Sequence, residues 1–289
     1  MDDIFQKAGS ILSDILKSDA AKNIVNAVVN NSKGGNNNDI DVAAGLKEAL
    51  KIGIETAAKN LGQKDGFLGD IAVRIGLPQE SAATFNAIQS LASNATFSQV
   101  LNMTGTSIPD TNTFVSLFNR AAEDAAPKSV DIFSNAITGM TMNDAQKILF
   151  GASNAATLYL QDKTTTQLQS AFKPTITKSL DTIQVASLTP TKAWNIYATY
   201  NNKLAEMLDS STVKAGLEMA YKLGVLKNDQ MDMIRSVKQV NTDISDYITG
   251  KALTGLFLKV AEKEGDIRTN ASARVNDVLK NVFGLLDKK

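Results

Sequence analysis

Residues 253–286 read LTGLFLKVAEKEGDIRTNASARVNDVLKNVFGLL, and the spacing of their apolar residues decides the fold class. In the second half, the intervals i, i+3, i+4, i+7, i+8 and i+11 define one helical stripe. Its members are Val275, Val278, Leu279, Val282, Phe283 and Leu286. The first half repeats this logic with Leu253, Leu256, Phe257, Val260 and Ala261. The stretch therefore predicts two amphipathic helices.

The same periodicity continues towards the N-terminus. A further stripe stops at Pro127 and consists of Phe114, Leu117, Phe118, Ala121, Ala122 and Ala125. Thr141, followed three residues later by Asp144, is a capping-box variant that opens a short helix. Pro174 lies on an apolar face that continues past it, which predicts a long kinked helix, and Thr189-Pro190 starts a new one. Because the alternating pattern of strands is missing, the sequence predicts an all-α fold, a helical bundle of many short, amphipathic helices.

The first 40 residues differ in composition from the rest of the chain. Residues 30–38 read NNSKGGNNN, a polar low-complexity segment that cannot bury apolar area. We therefore expect N-terminal amphipathic helices over 1–29, a flexible linker over 30–39 and a main all-helical domain over 40–289. The N-terminal helices could pack on the main domain, dock on a partner or lie on a membrane surface. Their mixed charge favours packing or a protein partner.

Charge and composition exclude several classes of function. Lysine plus arginine and aspartate plus glutamate both number 30, and no basic cluster stands out, so we expect no nucleic-acid partner. The 289 residues contain no cysteine and no histidine, which rules out thiolate nucleophiles, zinc–cysteine sites and Ser-His-Asp triads. Carboxylate pairs, Ser-Lys pairs and oxygen-ligand metal sites stay open. The sequence predicts no cofactor and no particular metal site.

The chain contains no run of about 18 apolar residues, so we expect no transmembrane segment. The start, Met1-Asp2-Asp3-Ile4, lacks the basic and apolar regions of a signal peptide. Two explanations follow: the native protein is cytoplasmic, or a signal has been removed from this sequence.

Motifs spread over residues 41–284 carry a family resemblance. In chain order they are Gly45-Leu46-Lys47-Glu48-Ala49-Leu50, Asp65-Gly66-Phe67-Leu68, Leu77-Pro78, Asn119-Arg120-Ala121-Ala122-Glu123, Met140-Thr141, Asp144-Ala145, Ala155-Ala156-Thr157, Tyr159, Asp246-Tyr247-Ile248-Thr249, Lys251-Ala252-Leu253, Glu262, Glu264, Ile267-Arg268 and Val282-Phe283-Gly284. In their order and spacing the chain resembles the bacterial family catalogued as domain of unknown function 4197.

The resemblance implies a helical bacterial protein whose relatives usually carry an export or lipoprotein signal. It implies no activity. A lipoprotein's anchoring cysteine would be lost with the signal, which would agree with the absence of cysteine here. We therefore expect a periplasmic or outer-membrane-associated protein, with a cytoplasmic location as the alternative.

Polar residues at helical spacing are the candidate binding residues. Arg120 can reach Glu123 or Asp124, which indicates an anion clamp or a structural salt bridge, and the salt bridge is the commoner use of such pairs. Glu264 and Arg268 have the favourable i,i+4 order. Glu262, with a carboxylate from another helix, could bind a hard cation, although no local ligand pattern supports one.

Tyr247 and Lys251 lie one helical turn apart, as a tyrosine and a lysine do in short-chain oxidoreductases. Those enzymes need a nucleotide-binding sheet with a glycine-rich turn, and the sequence predicts neither. Asp246 is therefore expected to cap the helix and Tyr247 to pack. Large side chains on other helical faces are expected in the core rather than in a ligand cage: Phe114, Phe118, Trp194, Tyr197 and Met207.

Two functional hypotheses follow. The first is a non-enzymatic envelope protein that binds a protein partner or an apolar small molecule. The alternative is a carboxylate-based or oxygen-ligand metal-dependent hydrolase that uses Glu123, Asp144 or Glu262. The candidate ligand or partner residues are Arg120, Glu123, Asp144, Tyr159, Tyr247, Lys251, Glu262 and Arg268.

Overall fold

The α-helix is the dominant element of the protein, seen here in a computed structural model. The structure describes residues 42–81, 85, 110–183, 189–274, 280 and 282–284. Within these ranges it contains nine α-helices and no strand. They are α1 (Val42–Leu61), α2 (Thr111–Ala125), α3 (Ser129–Thr138), α4 (Met142–Leu149), α5 (Ala155–Thr182), α6 (Pro190–Asp209), α7 (Ser211–Lys222), α8 (Asn228–Ser236) and α9 (Ile244–Thr269). The all-α prediction is confirmed.

The predicted helix starts are confirmed at two places. Thr141 caps α4 with a reciprocal pair of hydrogen bonds: its hydroxyl accepts from the Asp144 amide, and the Asp144 carboxylate accepts from the Thr141 amide. Thr189 caps α6 in front of Pro190. Helix α5 runs without interruption through Pro174, as the continuous apolar face predicts. Its buried residues Leu168, Phe172, Ile176 and Leu180 lie on both sides of the proline.

The backbone contacts divide the chain into two units, with boundaries inside α5 and α9 and before Leu61, the last residue of α1. The described residues of the first unit lie within 42–60, 127–168 and 256–284, and those of the second within 61–126 and 169–255. Within the first unit, the rings of Phe133 and Phe257 pack edge to face, with centroids 5.8 Å apart.

An aromatic cluster forms the core of the second unit. Its buried members are Phe85, Phe114, Phe118, Trp194 and Tyr197. The Trp194 indole donates to the Asn241 carbonyl, 2.9 Å away, so its polar atom is satisfied. The four predicted aromatic core residues are thus in the core. Met207 is not, because 54% of it is exposed.

Several expectations concern residues outside the described ranges. These are the N-terminal helices over 1–29, the linker over 30–39, and the stripe members Val275, Val278, Leu279 and Leu286. Val282 and Phe283 are described, and both are buried. None of the described helices combines the length and the apolar character that spanning a membrane requires.

Candidate functional site

The loop over residues 62–78, which follows α1, is the place where several candidate residues meet. Its backbone closes on itself through short-range hydrogen bonds, from Gly69 to Asp65 and from Arg74 to Asp70, both 2.8 Å long. Asp65 has φ 67°, a left-handed conformation that few side chains adopt. A Cβ at Gly69 would lie 2.8 Å from the Asp65 carbonyl oxygen, so this turn requires glycine there.

Glu123 and Arg120 of α2 hold the first part of loop 62–78. The buried Glu123 carboxylate accepts hydrogen bonds from the Phe67 and Leu68 amides, at 3.2 and 3.4 Å. Arg120 pairs with Glu123 at 2.6 Å and with Asp65 at 2.7 Å. The predicted Arg120–Glu123 pair therefore forms, and both of its members attach the loop to α2. Burial works to lower the pKa of Arg120, but the hydrogen bonds and charges of the two carboxylates outweigh it and raise that pKa.

Asn119, one residue before Arg120, holds the second part of the loop. Its side-chain oxygen accepts from the Ile75 amide at 2.8 Å, and its nitrogen donates to the Ile75 carbonyl at 2.9 Å. The asparagine thus pairs with a buried backbone as a neighbouring strand would. The sequence analysis missed this role, although Asn119 stood within one of the family motifs.

Replacing Asn119 by leucine should lower the free energy of unfolding by about 1–3 kcal/mol, because two buried backbone groups of Ile75 lose their partner. Denaturant melts measure this loss, and hydrogen exchange should become faster at the Ile75 amide. Asn112→Leu, at an exposed position of the same helix, is the control and should change stability by less than about 0.5 kcal/mol. Equal melts of the two variants would contradict the role assigned to Asn119.

Helix α9 makes the last attachments of loop 62–78. The Tyr247 hydroxyl donates to the Gly76 carbonyl at 3.1 Å. At Gly255, a Cβ would lie within 3.0–3.1 Å of the Phe67 and Val73 side chains, so the missing side chain lets the loop approach. Lys251 lies over the Tyr247 ring, with its nitrogen 5.7 Å from the centroid.

Tyr247 is a hydrogen-bond donor at neutral pH rather than a base. Burial, with a smaller contribution from the Glu80 charge, raises the pKa of Tyr247. A tyrosine base needs the opposite shift, towards the working pH. Asp246 does not cap α9 as expected. It pairs with Lys173 at 2.7 Å, and the Asp243 carboxylate accepts from the Ser245 amide instead.

The tip of loop 62–78 points an apolar side chain into solvent. Ile71 is 90% exposed, the largest value among the large apolar residues that the structure describes. Ala72 and Arg74 beside it are also exposed, whereas Phe67, Val73 and Ile75 anchor the loop in the core. The loop is therefore held at its base and apolar at its tip.

A second polar cluster, in the first unit, joins two helix ends. Glu264 accepts from the amides of Ala156 and Thr157 at 2.9 and 2.8 Å, in the first turn of α5. Arg268 pairs with Glu264 at 2.9 Å and donates to the Leu149 and Ile148 carbonyls at the end of α4. Carboxylates favour helix N-termini and arginines favour helix C-termini, so this buried pair caps both ends at once.

The remaining candidates have local partners. Glu262 pairs with Lys259 at 2.7 Å on the surface of α9, and Asp144 belongs to the capping box of α4. Tyr159 lies beside Lys163, and burial, followed by the Asp144 charge, raises the pKa of Tyr159. In the described ranges, no three acidic side chains are grouped closely enough to hold a metal ion.

A cavity of about 300 Å³ lies between α6, α7 and α8. Its lining includes the apolar side chains of Leu208, Leu217 and Ile234 and two ion pairs, Lys214 with Asp209 and Arg235 with Glu218. This volume is at the lower end of the range for ligand pockets.

Comparison with known proteins places the chain in a family. A sequence model of the family described as Protein of unknown function (DUF4197) matches residues 36–284. The chain belongs to this family. No curated protein and no solved structure gives a match. The DUF4197 match covers loop 62–78 together with the α2 and α9 residues that hold it.

Proposed function

We propose that this DUF4197 protein is a non-enzymatic envelope protein that binds a protein partner through loop 62–78. The proposal rests on the difference between the base of this loop, which is bound to two helices, and its tip, which is exposed to solvent. Asn119, Glu123 and Tyr247 bind the backbone of the loop, and Arg120 pairs with the Asp65 side chain. Ile71 at the tip, in contrast, is 90% exposed. Burying an exposed isoleucine in a partner's pocket is favourable by about 1.5–3 kcal/mol.

The rigidity of the loop supports a role in recognition. Binding by a mobile loop costs conformational entropy, and a loop already held in its bound form avoids most of that cost. The attachments come from side chains of two helices, α2 and α9, and use backbone groups that a mobile loop would leave to water. Hydrogen bonds that fix the loop favour binding when its exposed side chain must enter a partner's pocket in one orientation.

The hydrolase alternative has weaker support, because its carboxylates are engaged elsewhere. Glu123 accepts two backbone amides and an arginine, Asp144 closes a capping box, and Glu262 pairs with a lysine. A general acid or base must face substrate with a free oxygen and a pKa near the working pH. Export to the envelope is inferred from the family resemblance alone.

The cavity beside α7 supports a second candidate function, the binding of an apolar small molecule. Its mixed lining of apolar side chains and ion pairs suits a small apolar ligand with a polar end. Native mass spectrometry of protein purified from its source cells would detect a ligand that is carried along. A spectrum with only the mass of the polypeptide would remove this second candidate function.

Photo-crosslinking tests the role of the loop. A benzoylphenylalanine at the exposed position of Ala72 should give a covalent adduct of one discrete mass when the source cells are irradiated. Ile71→Ser should reduce that adduct about tenfold or more, because it removes the apolar contact. Met142→Ser, at an exposed apolar position of α4, is the matched control and should leave the adduct unchanged.

Asn119→Leu provides a second arm of the same experiment. It leaves Ile71 in place but releases the loop at Ile75, so the adduct should fall several-fold. Absence of any discrete adduct, or an adduct that is indifferent to Ile71→Ser, would overturn the proposed function.

A further inference from the structure

The helical hairpin of α7 and α8 carries an apolar tip that its own fold does not use. No residue of α7 is buried. Met219, Leu223 and Val225 are 64, 70 and 71% exposed, and in the described part of the chain only Ile71 exceeds them among the large apolar residues. Met219 and Leu223 are four residues apart, so they project from the same side of the helix. All three exposed apolar side chains lie within residues 219–227, which we call the hairpin tip.

The backbone of the hairpin tip is well defined. Gly224 has φ 73°, and hydrogen bonds run from the Val225 amide to the Ala220 carbonyl and from the Gly224 amide to the Tyr221 carbonyl. This is the Schellman motif that ends many helices. In that motif the residue in the position of Val225 frequently contacts one of the residues in the positions of Ala220 and Met219. Here Val225 is still 71% exposed and Met219 is 64% exposed.

A hydrogen bond between two side chains also stabilises the turn between α7 and α8. The Tyr221 hydroxyl donates to the Asn228 side chain at 2.7 Å and so joins the end of α7 to the start of α8. The exposed apolar residues therefore belong to an ordered turn.

The charges around the hairpin tip are basic. Residues 219–228 read MAYKLGVLKN and contain no acidic residue. Lys222 and Lys227 lie on either side of Leu223 and Val225 in the sequence. Both lysines are exposed. The carboxylates of Asp209, at the end of α6, and of Glu218, in α7, are paired with Lys214 and Arg235 at 2.6 and 2.8 Å.

We infer that the hairpin tip inserts into the surface of an anionic lipid membrane. Leucine, valine and methionine side chains would enter the boundary between headgroups and acyl chains, and Lys222 and Lys227 would contact the phosphates. Lysine suits this position because its long stem is apolar while its ammonium reaches the headgroups. The two exposed lysines beside the apolar side chains match the negative charge of such a surface, which favours lipid over a protein pocket. Asp229 and Asp232 of α8 follow the tip, so the positive charge is confined to residues 219–228.

Vesicle co-sedimentation of the full chain tests the inference. The protein should sediment with vesicles of phosphatidylcholine and phosphatidylglycerol, and about tenfold less with phosphatidylcholine alone, because the lysines lose their partners. Leu223→Ser combined with Val225→Ser should weaken binding to the anionic vesicles about tenfold or more. Lys222→Gln combined with Lys227→Gln should weaken it about tenfold.

Matched controls separate this surface from the rest of the chain. Met142→Ser removes an exposed apolar residue of α4, and Lys178→Gln with Lys203→Gln removes two exposed lysines of α5 and α6. Both should bind vesicles like the unmodified protein. All the changed residues are exposed, and unchanged thermal melts would show that the variants are folded.

A spectroscopic arm reports on insertion itself. The native chain has one tryptophan, the buried Trp194. Leu223→Trp should add a component whose emission moves to shorter wavelength with anionic vesicles. Failure of the full chain to bind either vesicle, or binding that the apolar double variant leaves unchanged, would overturn the inference. Capture of a protein by a crosslinker at position 223, without vesicle binding, would assign the tip to a protein partner instead.

Discussion

Arg268→Met should lower the free energy of unfolding by about 3–5 kcal/mol, because it leaves the buried Glu264 carboxylate without its cation. Side-chain exposure at this pair is only 7% for the arginine and 4% for the glutamate. The two carbonyls at the end of α4 would also lose their donors. Methionine fills similar space, so the loss would reflect charge and hydrogen bonding more than an empty volume.

Denaturant melts of Arg268→Met and of Lys263→Met measure the effect against a control on the same helix. Lys263 pairs with Asp266 at 3.2 Å, but on the surface, where ion pairs contribute about 0–1 kcal/mol. Hydrogen exchange should also become faster at the end of α4 in Arg268→Met only. If both variants unfold at the same denaturant concentration, the pair does not cap the two helices in the way described.

Adding Glu264→Leu to Arg268→Met should not restore stability. In many proteins a buried ion pair can be replaced by apolar residues without loss. Here the carboxylate also accepts the Ala156 and Thr157 amides, and leucine would leave both without a partner. The double variant should therefore stay at least as unstable as the single one.

The elements that local sequence determines were predictable. The apolar stripe from Phe114 to Ala125 is buried, and the capping box of Thr141 and Asp144 forms as its three-residue spacing predicts. The pair of Arg120 and Glu123 also follows from spacing on one helix. Each of these features involves residues within a few turns of one another, where helical geometry fixes the distances.

The functional roles of those same residues were not predictable. Glu123 is paired with Arg120, as expected, but its other partners are backbone amides 55 and 56 residues away. The Asn119 side chain binds the Ile75 backbone, 44 residues away in the sequence, and the spacing of apolar residues does not predict such a contact. Backbone groups look alike in every sequence, so their tertiary partners appear only once the fold brings the segments together.

The exposure of Ile71 and of the hairpin tip shows the limit of hydrophobic patterning. An isoleucine or leucine in a helical repeat is expected inside, and the sequence analysis assigned Met207 to the core for that reason. A helix such as α7 has the apolar residues of an amphipathic helix but buries none of them fully. Which face is covered depends on how much of the chain packs against it, and periodicity carries no information on that.

Phe283→Ala should lower the free energy of unfolding by about 3–5 kcal/mol, the usual cost of emptying a buried aromatic site. Phe283 is 2% exposed, and its neighbour Val282 is fully buried. Lys280 is exposed, so Lys280→Ala should cost less than about 0.5 kcal/mol. Leucine at position 283 would keep most of the apolar volume and should recover more than half of the loss.

Denaturant melts of the three variants decide whether Phe283 is anchored in the core. From most to least stable, the variants should be Lys280→Ala, Phe283→Leu and Phe283→Ala, because stability falls with the volume removed from the core. If Phe283→Ala unfolds at the midpoint of the unmodified protein, the residue is not anchored. The apolar stripe that contains it would then be a docking surface, and the binding role of the protein would have to be sought there rather than at loop 62–78.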